Sequence, residues 1–490
     1  MISPSVEPFN EAKYKALMDG LECSEIRKTE LERTLRIDSE FYSKEALVST
    51  SLICKGNHAS LISFVNVSDG NHAGISEKFV NEGIPYYRGQ DAGTFFIENC
   101  NPICIDKDTF NLPVMRRSHL KKNDVLLSIV GTIGSLSLVY SDRDATCSCK
   151  LAILRPKEAD AAEVLAVFLS SKYGQLQIKR FTRGAIQKGL ILEDMDQLVL
   201  PCFKSKFRDK IRSMVIAAFN DQENAVKSYE LAQSFVYEQL KFNSLATSQS
   251  SISEKAFSES FLETGRLDAE YYQPKYDAFL DILNRFETTS IPAEYHVTKN
   301  TGTNYADGIS DVGVIKTKQL SNSGIDTESI ESYFSAKTCD ENKSTFIKTG
   351  DVVFASMGVG SLGKVSIFTY DGEKQFVTDS TLRIYRAKPT AKVRPEVLCV
   401  FLQSKLGQEL IYRYVVGSTG IINIYDNDIA RIPIPVFDDD TQEKIAVKVQ
   451  ESFALRRQSK KLLEYAKQAV EMAIEQGEDV AIAWLETITS

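Results

Sequence analysis

The stretch Glu163-Val164-Leu165-Ala166-Val167-Phe168-Leu169-Ser170-Ser171-Lys172-Tyr173-Gly174-Gln175 returns as Glu396-Val397-Leu398-Cys399-Val400-Phe401-Leu402-Gln403-Ser404-Lys405-Leu406-Gly407-Gln408. The offset, from residue 163 to residue 396, is 233. Chance does not supply a match of that length and order, so the chain holds two copies of one plan. Working outward, Arg36-Ile37-Asp38-Ser39-Glu40-Phe41-Tyr42 recurs as Arg266-Leu267-Asp268-Ala269-Glu270-Tyr271-Tyr272, and Asp124-Val125-Leu126-Leu127 as Asp351-Val352-Val353-Phe354. Arg180 and Gly184 pair with Arg413 and Gly417, and Leu200-Pro201-Cys202-Phe203 with Ile434-Pro435-Val436-Phe437. Offsets that drift by only a few residues predict one fold with small loop insertions.

Within a copy the expected order is a β-rich segment, a helix, a loop and a long helix. Alternating and β-branched runs at Asp124–Val130, Ser135–Tyr140 and Lys150–Leu154 read as strands. Val164, Leu165, Phe168, Leu169 and Leu176 fall on one helical face, as do Val397, Leu398, Phe401, Leu402 and Leu410. After Phe203 the texture changes to a polar stretch free of Gly and Pro. There Ile211, Val215, Ala218, Gln222, Ala225, Tyr229, Ala232, Val236 and Gln239 alternate spacings of four and three, which is a coiled-coil seam. Copy two repeats it with Ile445, Val449, Ser452, Arg456, Ser459, Leu463, Ala466, Val470 and Ala473. A lone helix with so interrupted a seam is marginal, so the two seams are expected to pack on each other, antiparallel and within the chain.

The predicted architecture is α/β (α+β): two tandem β-rich domains and two long helices forming an antiparallel intramolecular coiled coil, with a pseudo-two-fold. Its parts are a helical segment at 1–30, a first domain at 31–203, a spacer helix at 204–243, a linker at 244–257, a second domain at 258–437 and a second spacer helix at 438–490. A single helix, Asn10–Leu35, is expected ahead of copy one. Ser/Thr/Gln-rich Ser244–Ser253 marks the linker.

At 490 residues, 43% hydrophobic and 10% aromatic, the chain can fill packed cores, which excludes a disordered or fibrous protein. Its net charge of -8 argues against coating nucleic acid by bulk positive charge. No apolar run approaches the ~20 residues that cross a bilayer, and the first residues carry no import signal, so the cytoplasm is expected. Nine scattered Cys fit reduced thiols, most of them in the core, and their spacing with four His suggests no metal site.

Gly358-Val359-Gly360-Ser361-Leu362-Gly363 matches a dinucleotide-binding pattern, but β-patterned Lys364–Phe368 follows it where that pattern needs a helix. Copy one has Gly131-Thr132-Ile133-Gly134-Ser135 there, so a strand-connecting turn is the reading. No methyltransferase, P-loop, zinc-protease or nucleophile-elbow motif occurs, and His58, His72, His119 and His296 do not recur in register, so no catalytic residue is assigned. Basic residues do cluster: Lys172, Lys179, Arg180, Arg183 and Lys188 lie in one acid-free run, and Arg116, Arg117, His119, Lys121 and Lys122 in another. Lys204–Arg212 carries five more against Asp209. Phosphate contact is their functional reading. Copy two is poorer, keeping Arg413 and offering Ser418, Thr419 and Asn423 as neutral donors.

The arrangement resembles the specificity subunit of Type I restriction-modification enzymes, or its equivalent in a related methylation-based phage defence. The resemblance is carried by the duplicated Arg-x-Asp-x-Glu-Phe/Tyr-Tyr segment, Gly350–Val353, the Gly-x-x-Gly turns, Arg413-Tyr414-x-x-Gly417 and Ile432-Pro433-Ile434-Pro435. It implies two target-recognition domains that read the halves of a split double-stranded DNA site. The paired helices would then serve as ruler and as dock for two methyltransferase subunits, with a restriction/translocase subunit joining. S-adenosylmethionine, and ATP with Mg for restriction, would belong to those partners, leaving no cofactor in this chain. Candidate DNA contacts are Arg88, Gln90, Arg116, Arg117, Thr132, Arg180, Arg183, Gln187, Lys188, Lys316, Gln319, Arg413, Ser418, Thr419 and Asn423. Candidate partner-binding residues on the spacer helices are Ile211, Val215, Tyr229, Val236, Ile445, Val449, Leu463 and Val470. Two departures stand out: Phe203-Lys204-Ser205-Lys206 lacks the acidic/Gln helix start of Asp438–Glu443, and copy one has the extra N-terminal helix. A non-DNA coiled-coil scaffold and a self-sufficient DNA-modifying enzyme are the rival readings.

Overall fold

The computed structural model describes residues 9–22, 24–158, 160–184, 186, 188–241, 252–302, 305, 311–417 and 422–489. They form two compact units, Met1–Asn220 with Gln458–Ser490, and Asp221–Arg457. Each unit therefore takes half of each long helix, Ser205–Leu240 and Asp439–Gln476.

The repeat quoted first forms a pair of helices in each unit, Ala162–Ser170 then Lys172–Phe181, and Pro395–Gln403 then Lys405–Arg413. Each residue of the Ser-Lys-x-Gly-Gln segment has a task. Ser171 and Ser404 cap the second helix by accepting from Gly174 and Gly407 N–H. A Cβ on either glycine would lie 2.4 or 2.1 Å from the carbonyl oxygen of Phe168 or Phe401, so no other residue fits the corner. Gln175 donates to the carbonyls of Leu169 and Gly134, and Gln408 to those of Leu402 and Gly363, tying the corner to the Gly-rich turns. The corner corrects the expectation of one continuous stripe: Leu410 is buried on its second helix, whereas Leu176 is only half-buried.

That helix pair packs on a four-stranded antiparallel sheet with the same strand order in both units. In the first it runs Val65–Asp69, Leu151–Pro156, Val125–Ser128, Leu136–Leu138; in the second, Tyr295–Thr298, Leu382–Ala387, Val352–Ala355, Val365–Ile367. Buried Asp124 and Asp351 open the central strands, pairing at 2.6 Å with Arg155 and Arg386 of the neighbouring strand. The hydrogen bonds that each guanidinium donates to its Asp raise the arginine's pKa. A smaller sheet accompanies each, with a parallel pair of Ile84–Tyr87 and Thr146–Cys147, or Val312–Ile315 and Gln375–Thr378.

The long helices pair antiparallel in each unit. In the first, Phe207, Ile211, Met214, Val215 and Ala218 share a core with Ala466, Ala469, Val470 and Ala473. In the second, Tyr229, Ala232, Val236 and Leu240 do so with Ile445, Val449 and Phe453. The middle of one seam column is small: Ala218 lies opposite Ser459 in the first unit and Ala225 opposite Ser452 in the second, with Ala232, Ala466 and Ala473 buried farther along at seven-residue spacing. The two serines bond across the seam, Ser459 Oγ to the Ala218 carbonyl and Ser452 Oγ to that of Ala225, each at 2.7 Å. Small residues and satisfied hydroxyls let the helices approach closely. At 36 and 38 residues the helices span about 54 and 57 Å.

Three sequence expectations need correction. The N-terminal helix Asn10–Leu35 is two helices, Glu11–Met18 and Lys28–Thr34, because Gly20, at φ 77°, sits where the first ends. The second spacer does not run to the end: Gly477, at φ 99°, breaks it, and Glu478–Thr489 forms a separate helix whose Ala481 and Leu485 enter the first unit's core. Of the eight described Cys, all free, only Cys147, Cys339 and Cys399 are buried. An acid does reach the start of the first spacer from the terminal helix: the Glu478 carboxylate accepts from Lys204 N–H at 3.0 Å, whereas in copy two Asp438 accepts from Thr441 N–H.

Gly174→Ala or Gly407→Ala should each lower stability by about 1–3 kcal/mol through overpacking. Gly131→Ala, with open space around the new methyl, should cost only the strain of its φ of 83°, about 1 kcal/mol. Urea unfolding of the three variants checks the order.

Candidate nucleic-acid interface

In each unit two loops are joined by main-chain bonds. The turn after the central strand, Gly131–Gly134 or Gly358–Gly363, connects two strands as the sequence suggests, its glycines at positive φ. Beside it a hairpin returns from the helix pair, closed by Arg183 with Gly189 or Val416 with Asn423, and bridged to Val130 or Met357. In the first unit a third loop joins, because Thr132 Oγ1 donates to the Gly89 carbonyl at 2.8 Å. Gln90 is exposed on that loop, and Ile186 and Lys188 are exposed on the hairpin. Gln187, Ser418 and Thr419 lie outside the described residues.

Arg88 and Asp91 close the third loop: the Asp91 carboxylate accepts from Arg88 N–H at 2.8 Å and from its guanidinium. In the second unit the strand register places Gln319 where Asp91 stands. Its Oε1 accepts from Lys316 N–H at 3.1 Å, and its Nε2 donates to the Ser329 carbonyl. Gln319 is therefore buried and spent on the turn, and the exposed equivalent of Gln90 is Lys318, which the sequence reading missed. Aligning Ile84–Tyr87 with Val312–Ile315 would have found it. Lys316 holds its ammonium 4.3 Å from the Tyr305 ring centroid.

Arg180 and Arg413 belong to a duplicated clamp. Each guanidinium donates to a backbone carbonyl, of Phe41 or Tyr271, and lies 4.4 or 4.6 Å from that ring's centroid. Arg36 and Arg266 approach the same rings to 4.3 and 4.6 Å while paired with Asp38 and Asp268. These bonds hold the Asp38 and Asp268 carboxyls below the usual carboxylate range. The Arg-x-Asp-x-x-aromatic motif thus folds its segment against the helix that carries the second arginine.

The basic run 172–188 has no acid of its own, but the fold brings acids to it. Lys172 pairs with Glu475, Arg183 with Asp194 and Lys188 with Glu40. A cavity of about 730 Å³ is lined by Lys172, Lys179 and Lys188 together with Glu22, Glu40 and Glu45. Arg117 likewise pairs with Asp69, and Arg208 with Glu158. Arg116 is exposed and has no ion-pair partner among the described residues. Asn423 is engaged through its backbone in the hairpin, its Oδ1 buried without a partner.

The seam residues proposed as partner contacts are turned inward. Ile211, Val215, Tyr229, Val236, Ile445, Val449 and Val470 are buried and Leu463 is half-buried in the intrachain pairing. Polar Gln222 and Arg456 stay in the seam. Gln222 Oε1 and Arg456 Nε have no hydrogen-bond partner, and desolvation lowers the Arg456 pKa.

Among the described residues no helix is long and apolar enough to cross a membrane, and no three His, Cys, Asp or Glu could hold a metal ion.

No family model and no curated protein matches the chain. Among solved structures it is similar to the S subunit of a Type I restriction-modification system from M. genitalium, at 12% identity over 86% of this chain and 95% of that one, with a TM-score of 0.38. It is similar also to the HsdS subunit from Thermoanaerobacter tengcongensis, at 13% identity over 86% and 97% of the two chains, with a TM-score of 0.29. The type IIG restriction endonuclease BpuSI matches 38% of this chain and 30% of its own, at 11% identity and a TM-score of 0.29. Likenesses at these identities and scores assign no role to any residue here.

Arg180→Ala and Arg413→Ala should each destabilise the chain by about 1–2 kcal/mol in urea unfolding, through loss of the clamp. The slope of log affinity against log salt for duplex DNA should not change. A slope flatter by about one unit would put the guanidinium on a phosphate instead.

Proposed function

We propose that this chain is the sequence-specific DNA-recognition subunit of a methylation-based restriction or defence enzyme, acting in the cytoplasm without catalysis of its own. The observation that carries the reading is duplication: one module, with its loops joined the same way, is built twice in one chain on a shared pair of long helices. Two readers in one chain suit a target of two half-sites, and a stiff helical spacer suits a fixed gap between them. Half-sites one helical turn apart are separated by about 34–36 Å, within reach of a ~54 Å helix.

In this reading residues 31–203 and 258–437 are the target-recognition domains, and their joined loops meet the major groove. Gln90, Thr132 and the hairpin 183–189 read bases or phosphates in the first, and Lys316, Lys318 and the hairpin 416–423 in the second. A glutamine pairs naturally with an adenine edge and a lysine with guanine. The acidic chain gains affinity from two methyltransferase subunits, which bring S-adenosylmethionine and much of the phosphate contact. A translocase-nuclease with ATP and Mg would join them for restriction. The outer faces of the helices are the dock, since their seams are occupied.

Cells expressing the chain with its methyltransferase should carry a two-part methylated motif. Replacing residues 31–203 by the corresponding domain of another specificity subunit should change one half of that motif and leave the other. Methylation sequencing reads this directly, and a change in both halves would defeat the modular reading. Arg116→Ala should flatten the salt slope of DNA binding by about one unit with little change in sequence preference.

A further inference from the structure

The ion pair of Asp69 and Arg117 has no counterpart at the matching positions of the second unit, which serves as an internal control for it. Asp69 ends the strand Val65–Asp69 and is buried; one carboxylate oxygen accepts from Arg117 Nη2 and the other bonds with Nε2 of exposed His72. Val67 and Val297 pair with equivalent residues, Leu154 and Tyr385, so exposed Lys299 stands where Asp69 does. The carbonyls of His119 and Phe346 each accept from the arginine that grips the central Asp, Arg155 or Arg386, and counting back from them sets Ser344 at the place of Arg117. The same scaffold closes with Lys299 and Ser344, so the pair answers a need other than folding.

The surroundings hold the pair in place. Arg117 lies in the turn Pro113–Ser118; Ser118 is fully buried, its Oγ 2.7 Å from Thr146 Oγ1, and His119 stacks on Phe110 with ring centroids 3.8 Å apart. Asn71 closes a turn around His72, accepting from Ala73 N–H and donating to the Ala73 carbonyl, both at 2.9 Å. The Arg117 side chain is nevertheless 57% exposed. An arginine fixed at its root and by one nitrogen, with the rest of its fork in water, loses little freedom on binding. Its place is also the right one. Asp69 pairs with Ala152, and the adjacent Leu151 pairs with Ser128, which ends the strand before the turn Gly131–Gly134. Asn71 bridges Ser148, whose N–H donates to the Tyr87 carbonyl just ahead of the Gln90 loop. Arg117 and His72 thus stand at the end of the sheet that carries the joined loops.

The acid decides what the arginine suits. Asp69 cancels the charge that would draw Arg117 to a phosphate, and its own charge repels one. A neutral ligand with acceptors suffers neither effect. The guanidinium offers donors only, and the base edge that sets two acceptors side by side in the major groove is that of guanine, N7 with O6. We propose that Arg117 reads a guanine in the half-site of the first domain, with Asp69 and His72 as the residues that position it. The assignment rests on the proposed function, which supplies the DNA, and adds the base and its reader. The second domain, with Lys299 and Ser344 in those places, reads its own half without this contact.

The test uses the full chain co-purified with its methyltransferase, the motif found by methylation sequencing, and duplexes carrying 7-deazaguanine, which lacks N7 but pairs normally, at each guanine of the first half-site. One such substitution should weaken wild-type binding about fivefold or more. Arg117→Lys keeps the charge and loses the fork; it should bind the natural target about tenfold more weakly and be indifferent to 7-deazaguanine at that one position. Asp69→Ala should relax discrimination at the same base pair and leave the second half of the methylated motif unchanged, an effect confined to one base that a merely structural role does not produce. Wild type tolerant of every 7-deazaguanine, or Arg117→Lys as sensitive as wild type, would overturn the assignment and leave the DNA-recognition reading standing. So would a loss in Arg117→Ala that is equal on target and scrambled duplexes with a salt slope flatter by about one unit, which places the guanidinium on a phosphate. A wild-type complex with no methylated motif and no duplex preference would overturn both.

Discussion

The close seam between the long helices is the constraint on which the rest depends. Alanine and serine through the middle of one seam column set how near the helices come, and at that distance Ser452 and Ser459 reach a carbonyl on the opposite helix. Were either column larger, the hydroxyls would be buried without partners and the helices held apart. Ile211 and Ile445 at the ends of that column, with the valines and tyrosine of the other, then fill the cores that also receive the helix pairs of the globular parts. The β-rich bodies are thus anchored to the spacer by shared hydrophobic cores.

Much of this is legible in the sequence because it is written twice. Duplication reveals the corner Ser-Lys-x-Gly-Gln, the clamp and the seam even though no residue alone identifies them. Tertiary events stay hidden. The broken stripe at Ser171 needs the cap geometry, since apolar periodicity continues across it. The ending of the second spacer turns on a single positive φ at Gly477, and the acid that starts the first spacer comes from Glu478, far along the chain.

The site was less legible than the fold, and the reason is electrostatic. Counting charge along 172–188 suggests a bare cationic strip, but Glu40, Asp194 and Glu475 are brought there by folding. Arginine is also ambiguous in sequence: Arg180 has the donors to grip phosphate and the planar face to stack on Phe41, and the fold uses the second. Gln319 failed for a similar reason, its amide being taken by the turn it closes.

The first unit is assembled from both ends of the chain, and this gives synthesis an order. Asp221–Arg457 is continuous and can close as soon as it leaves the ribosome, whereas Met1–Asn220 needs Gln458–Ser490. At about 5–20 residues per second, the half-finished first unit waits roughly tens of seconds with Phe207, Ile211 and Val215 uncovered. The first body begun is the last completed, so a nascent chain stalled before Ala466 exposes an oily ridge, and chaperone demand and degradation of truncated products should concentrate there.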